Sequence, residues 1–168
     1  MWTLIYYKFL KTFIYKKYNY QLRPKICIFI VLFEISLLVN KDLLLFAISQ
    51  ILIFQSITDI INKDVYTLIN LLFIPIAFYT NQSIIDNLFS EIIVVIIYLL
   101  SKIINGIGIG DINLLFYLGL IFDYPSMLHI ILLASILNIL YALFHPKKSY
   151  SFIPFISISC IVIYTIKP

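Results

Sequence analysis

Residues 91–120 read EIIVVIIYLLSKIINGIGIGDINLLFYLGL, and the fold turns on how they are read. An apolar run near 90–105 ends in three glycines within five residues, Gly106, Gly108 and Gly110, followed by Asp111 and a second apolar run near 112–123. Working outward, similar runs lie near 26–40, 43–59, 67–81, 127–144 and 152–167. A membrane-crossing helix needs roughly 20 apolar residues, with about 17 as a practical minimum. Several of these runs are short, and 112–123 is the weakest of them. It must borrow flanking residues, tilt, or pack inside a bundle. Lipid leaves no backbone polar group unsatisfied, so helices are favoured over open strands despite the abundant Ile. No polar–apolar alternation supports a barrel. The expected fold is all-α, a polytopic transmembrane bundle of about seven helices.

Composition agrees. The 168 residues are 62% hydrophobic and 12% charged, with a mean hydropathy of +1.05. Soluble domains run at about 45–50% apolar and about 25% charged. These values exclude a soluble enzyme, a disordered tail, a nucleic-acid-binding domain and a disulfide scaffold. The net charge of +4 is distributed as topology determinants rather than as a nucleic-acid patch: six of the twelve Lys/Arg precede Ile26. With the N-terminus in the cytoplasm, segments 1–25, 60–66, 103–111 and 145–151, with Lys102 at their edge, hold ten of the twelve. The positive-inside rule supports that orientation. The reading is a multi-pass protein of the cell membrane whose partner is the lipid bilayer and not nucleic acid. Residues 1–25 form a basic interfacial segment, without the features of a cleaved signal peptide, and 26–168 form one transmembrane domain.

Cys27 and Cys160 lie in apolar runs with no C-x-x-C. They read as buried thiols, and no metal or cofactor is expected. The acids are more informative, because each is costly near lipid. Asp42, Asp86, Glu91 and Asp123 fall at the outer boundary and read as solvated. Asp59 ends the second run, in IFQSITDIINKDVYTLIN, and Asp111 opens the fifth. The topology puts both at the same cytoplasmic level, although depth was no part of the argument for it. The chain has four glycines, and three stand directly before Asp111. Glycine permits close approach of another backbone. No Lys-Ser/Thr follows, so this is not a phosphate loop. Each carboxylate taken alone fits a helix cap or a snorkelling helix end. Together they fit an aspartic dyad that shares one proton and hydrolyses a peptide bond. His129 and His145 have no catalytic neighbour in sequence and read as core or interfacial residues.

At this point the residues resemble the type IV prepilin leader peptidases, which are membrane aspartic proteases with competence-system and preflagellin relatives. G-x-G-D is present at Gly108–Asp111, Asp59 stands upstream at a helix end, and I-P-F follows at Ile153–Phe155. The family's first motif, roughly D-x-x-x-x-x-I-P-N, matches Asp59 through Val65, Tyr66 and Thr67. The second, G-x-G-D-x-K-L, matches Gly108, Gly110, Asp111, Asn113 and Leu114. The resemblance implies a GxGD-type protease fold with Asp59 and Asp111 as the catalytic pair. It implies a pilin-like precursor as substrate, with a short basic leader and a hydrophobic helix, cut after a glycine on the cytoplasmic side. Gly106, Gly108 and Gly110 would admit the substrate backbone as an extended strand.

The departures are Asn113 in place of lysine, Tyr66 in place of proline, and Ile-Ser in place of Gly-Pro after I-P-F. No zinc-cysteine insert fits, so no N-methyltransferase activity is expected of this chain. Glu34 sits where the family often has a membrane glutamate, and is read as facing the bundle. Other readings stay open: a degenerate homologue with the fold alone, a small transporter or assembly factor using the aspartates as an ion or proton site, and a presenilin-like protease.

Overall fold

The computed structural model describes residues 2–18, 43–63, 65–80, 83–104, 108–145 and 150–166. Helices α1 (Trp2–Tyr18), α2 (Leu43–Asn62), α3 (Thr67–Asn70), α4 (Phe73–Thr80), α5 (Ile84–Ile104), α6 (Ile109–Gly119), α7 (Tyr124–Phe144) and α8 (Ile153–Ile166) follow in order, and the described residues contain no strand. With α3 and α4 counted as one broken helix, the described residues form seven helices. Three helices, Leu43–Asn62, Ile84–Ile103 and Tyr124–Phe144, are long and apolar enough to cross a membrane. Six of the seven expected runs are thus helical. The run at 26–40 lies outside the described residues, along with Cys27 and Glu34.

Helix α6 resolves the problem of the weakest run. It has only 11 residues, and Ile112, Leu114, Leu115, Leu118 and Gly119 are buried. It packs inside the bundle, where Leu114, Leu115 and Leu118 join Ile48 and Leu52 of α2, Met127 and Ile130 of α7, and Ile153, Ile156 and Cys160 of α8. The α2–α8 contact uses small polar residues. Ser56 and Ser157 share a 2.8 Å hydrogen bond between their hydroxyls, and small residues let apolar helices approach closely. The break between α3 and α4 falls just before Pro75, whose ring disfavours a continuous helix through Leu71. Helix α1 is more than an interfacial segment: Leu10 and Ile14 are fully buried in a cluster with Phe54 and Ile57 of α2.

Helix α5 starts six residues before the expected apolar run, and its cap explains why. Ser83 Oγ accepts the Asp86 N–H at 3.1 Å. The apolar count registered the hydrophobic stretch and not this polar first turn. Removing such a cap typically costs about 0.5–2 kcal/mol, so Ser83→Ala is expected to lower the thermal midpoint in detergent and to increase amide exchange over residues 84–88.

One of the outer acids departs from its expected role. Both Glu91 carboxylate oxygens are buried with no hydrogen-bond partner among the described residues. A Cβ added to Gly119 would lie 2.9 Å from Glu91 Oε1, so that glycine makes the room α6 needs to pack on Glu91. Beside it, Ser90 Oγ of α5 donates to the Phe122 carbonyl, in the turn between α6 and α7, at 3.0 Å. An unsatisfied buried polar group costs about 1–3 kcal/mol. Glu91→Leu is therefore expected to raise the unfolding midpoint in detergent. A lowered midpoint would mean that the carboxylate is partnered.

Candidate active site

Asp59 sits in the last turn of α2 and is 5% exposed. The first residues of α8 hold it. A helix start leaves several N–H groups without an intrahelical acceptor. The Phe152 carbonyl takes the N–H groups of Phe155 and Ile156, at 3.0 and 3.2 Å. Pro154 has no N–H to offer. The remaining donor, the Ile153 N–H, points to Asp59 Oδ2 at 3.3 Å. The Ile153-Pro154-Phe155 element thus begins a helix whose free N-terminal donor is aimed at the α2 carboxylate.

The backbone of Asp59 is held as well. Its carbonyl accepts the Lys63 N–H at 3.0 Å and the Ser151 hydroxyl at 3.0 Å. Lys63 ends α2 in the left-handed region, with φ 61°, where glycine is usual. Its ammonium donates to Ser151 Oγ at 2.8 Å.

Asp111 stands in the first turn of α6. Gly108 is the N-cap, in an extended conformation with φ −68° and ψ 141°. The Asp111 N–H donates to the Gly108 carbonyl at 3.1 Å. The carboxylate folds back over Gly108, so that a Cβ there would lie 3.1 Å from Asp111 Oδ2. Gly110 faces the other motif: a Cβ there would meet Val65, 2.7 Å from its Cβ and closer still to Cγ2. No described glycine has positive φ, so these glycines provide space and not a turn. Gly106 lies outside the described residues. Asp111 lies within electrostatic range of Asp59.

A chain of amides joins the same two helices. Gln55, one turn before Asp59, donates from Nε2 to the Tyr66 carbonyl at 2.7 Å and to Asn70 Oδ1 at 2.8 Å. Its Oε1 accepts the Tyr66 N–H at 3.0 Å. Asn70 Nδ2 then donates to Asn113 Oδ1 at 2.8 Å. The Tyr66 ring packs edge-on against Phe13 and Phe54, with the Lys17 ammonium 4.2 Å from its centroid. Helix α1 thereby docks on the end of the first motif.

Sequence reading missed Lys63, Ser151, Gln55 and Asn70 as parts of this site. A signal for two of them was present, because Gln55 and Asn70 are amides inside apolar runs and such groups need partners. The histidines lie apart from it. His129 Nδ1 bonds the Pro125 carbonyl at 2.6 Å, and His145 stacks on Tyr141. Among the described residues no group of three or more His, Cys, Asp or Glu could hold a metal ion. Cys160 is a buried free thiol.

The fold and site define a helical membrane protein with one carboxylate in the last turn of α2 and another in the first turn of α6. The model of the type IV leader peptidase family matches residues 44–143, and the chain belongs to that family. It is similar to the prepilin leader peptidase/N-methyltransferase of Haemophilus influenzae, with 37% identity over 81 residues. That match covers 45% of this chain and only 35% of the relative, about a third of its length. No solved structure matches.

Proposed function

We propose that this chain is a membrane aspartic endopeptidase that removes the leader of a prepilin-like precursor, with Asp59 and Asp111 as its catalytic pair. The observation that carries the reading is a buried carboxylate at the end of α2, held by the Ile153 N–H, and a second in the first turn of α6 behind Gly108, in a chain of the leader peptidase family. Two carboxylates that meet in one site do not both ionise readily and share one proton. The ionised member accepts a proton from water, and the resulting hydroxide attacks the scissile carbonyl. The protonated member hydrogen-bonds the carbonyl oxygen as charge develops on it. A proton then passes to the departing amine, leaving a carboxylate on one product and an amine on the other. The pair titrates as a unit, so neither role belongs to one residue.

Lys63, held by Ser151, supplies a positive charge beside the end of α2 that carries Asp59. Val65 fills the space at Gly110, which leaves Gly108 as the described glycine where a substrate backbone approaches Asp111. The Lys/Arg distribution supports a cytoplasmic active site and N-terminus, which suits a basic leader retained in the cytoplasm. The reading covers peptide cleavage and not methyl transfer. The test is co-expression in membranes with a pilin-like precursor from the same genome. A shortened product made by the wild-type chain supports the reading. Absence of product across several such precursors at normal protein levels favours a homologue with the fold alone.

A further inference from the structure

We infer that the amides of Gln55, Asn70 and Asn113 form a positioning relay that sets the distance between α2 and α6, and so between Asp59 and Asp111. The inference concerns the geometry of the pair and takes its functional meaning from the endopeptidase reading above.

The relay spans the site at its base. Gln55 lies one helical turn before Asp59, and Asn113 lies two residues after Asp111. Asn70, at the end of α3, bridges them, and Gln55 and Asn70 are both 0% exposed. The hydrogen bonds run in one sense. Gln55 Nε2 donates to Asn70 Oδ1, and Asn70 Nδ2 donates to Asn113 Oδ1. Turning the Asn70 amide over would set donor against donor and acceptor against acceptor, so the three side chains have one consistent arrangement. The Gln55–Asn70 bond is buried and the Asn70–Asn113 bond half-buried, so a broken member leaves a costly orphan on the buried Asn70. The relay therefore resists both separation and sliding of the two helices.

It also accounts for two departures from the motif pattern. Tyr66 stands where the first motif has proline, and it brings an N–H that proline lacks. Gln55 Oε1 accepts that N–H, while Gln55 Nε2 donates to the carbonyl of the same residue. The substitution and its acceptor occur as a pair. Asn113 stands where the second motif has lysine. A lysine has donors only, and could not accept from Asn70 Nδ2. In this chain an acceptor is needed at 113, and asparagine supplies it. Restoring the motif residues is thus expected to harm this protein: Asn113→Lys breaks a relay bond, and Tyr66→Pro removes the N–H that fixes Gln55.

The test separates geometry from catalysis. In the full chain, with Cys27 and Cys160 replaced by Ala, Asp59→Cys and Asp111→Cys provide a reporter pair, crosslinked in membranes by bis-methanethiosulfonates of increasing length. Addition of Gln55→Leu or Asn113→Leu is expected to move the preferred crosslinker to a longer one. Asn70→Leu/Asn113→Leu is expected to do no more than either single change, since both remove the same link. Asn113→Ser, polar but too short to reach Asn70, serves where the Leu variant does not accumulate. In the chain with both aspartates intact, the same relay substitutions are expected to lower kcat about tenfold to a hundredfold with KM unchanged. An unaltered crosslinker preference together with unaltered kcat overturns the relay. If the wild-type chain cleaves no precursor, the endopeptidase reading fails, and the crosslinking result still decides whether the relay positions the two helices.

Discussion

Asp59→Asn and Asp111→Asn are each expected to abolish formation of the shortened product, with at least about a thousandfold loss of rate. Asparagine keeps the size and the hydrogen-bonding shape of each side chain. At position 59 it retains an oxygen to accept the Ile153 N–H. At position 111 it retains the α6 first turn, which is held by the backbone bond to Gly108. What each change removes is the ionisable oxygen, so the shared proton and the base are lost while the fold is kept. Protein levels and the thermal midpoint should stay near wild type. The measurement is the ratio of precursor to product in membranes at equal enzyme level. Cleavage that survives either substitution sinks the dyad. A loss at both positions also argues against a transporter, because an ion site predicts no change in a pilin-like precursor.

The same two residues show what the sequence made visible. A carboxylate beside lipid is conspicuous, and the glycines before Asp111 mark it further, so both residues stand out as candidates without coordinates. Helix identity was equally open to reading, since hydropathy registers each apolar run whatever its neighbours. What lay hidden was contact between segments remote in sequence. Nothing in Ile153-Pro154-Phe155 announces that its one spare N–H faces Asp59. Nothing in Glu91 distinguishes a solvated acid at a helix start from one packed against Gly119. The Ser83 cap escaped because an apolar count begins at the first hydrophobic run. Gly110 is the clearest instance: a glycine signals that something comes close, and the sequence does not say whether that is a substrate or Val65 of the same chain.

That contact yields the second large effect. Gly110→Ala is expected to inactivate the protein even though alanine is the smallest addition and the better helix former. The new Cβ would lie 2.7 Å from Val65 Cβ and would overlap Cγ2. Position 65 has little freedom to yield, because the next residue is held at its N–H and its carbonyl by Gln55. Overpacking of this kind costs about 1–3 kcal/mol. Here the strain falls on the join between the segments that carry Asp59 and Asp111, so activity is expected to fall further than stability. Val65→Gly on its own opens a gap beside Gly110 and loosens that join. Combined with Gly110→Ala, it removes the atoms that the new Cβ would strike and should restore most of the product. The comparison that decides is a double-mutant cycle read as cleavage rate. Recovery in the double variant assigns Gly110 to packing of the two motifs against each other. Failure to recover, with protein levels intact, assigns it to the approach of the substrate backbone.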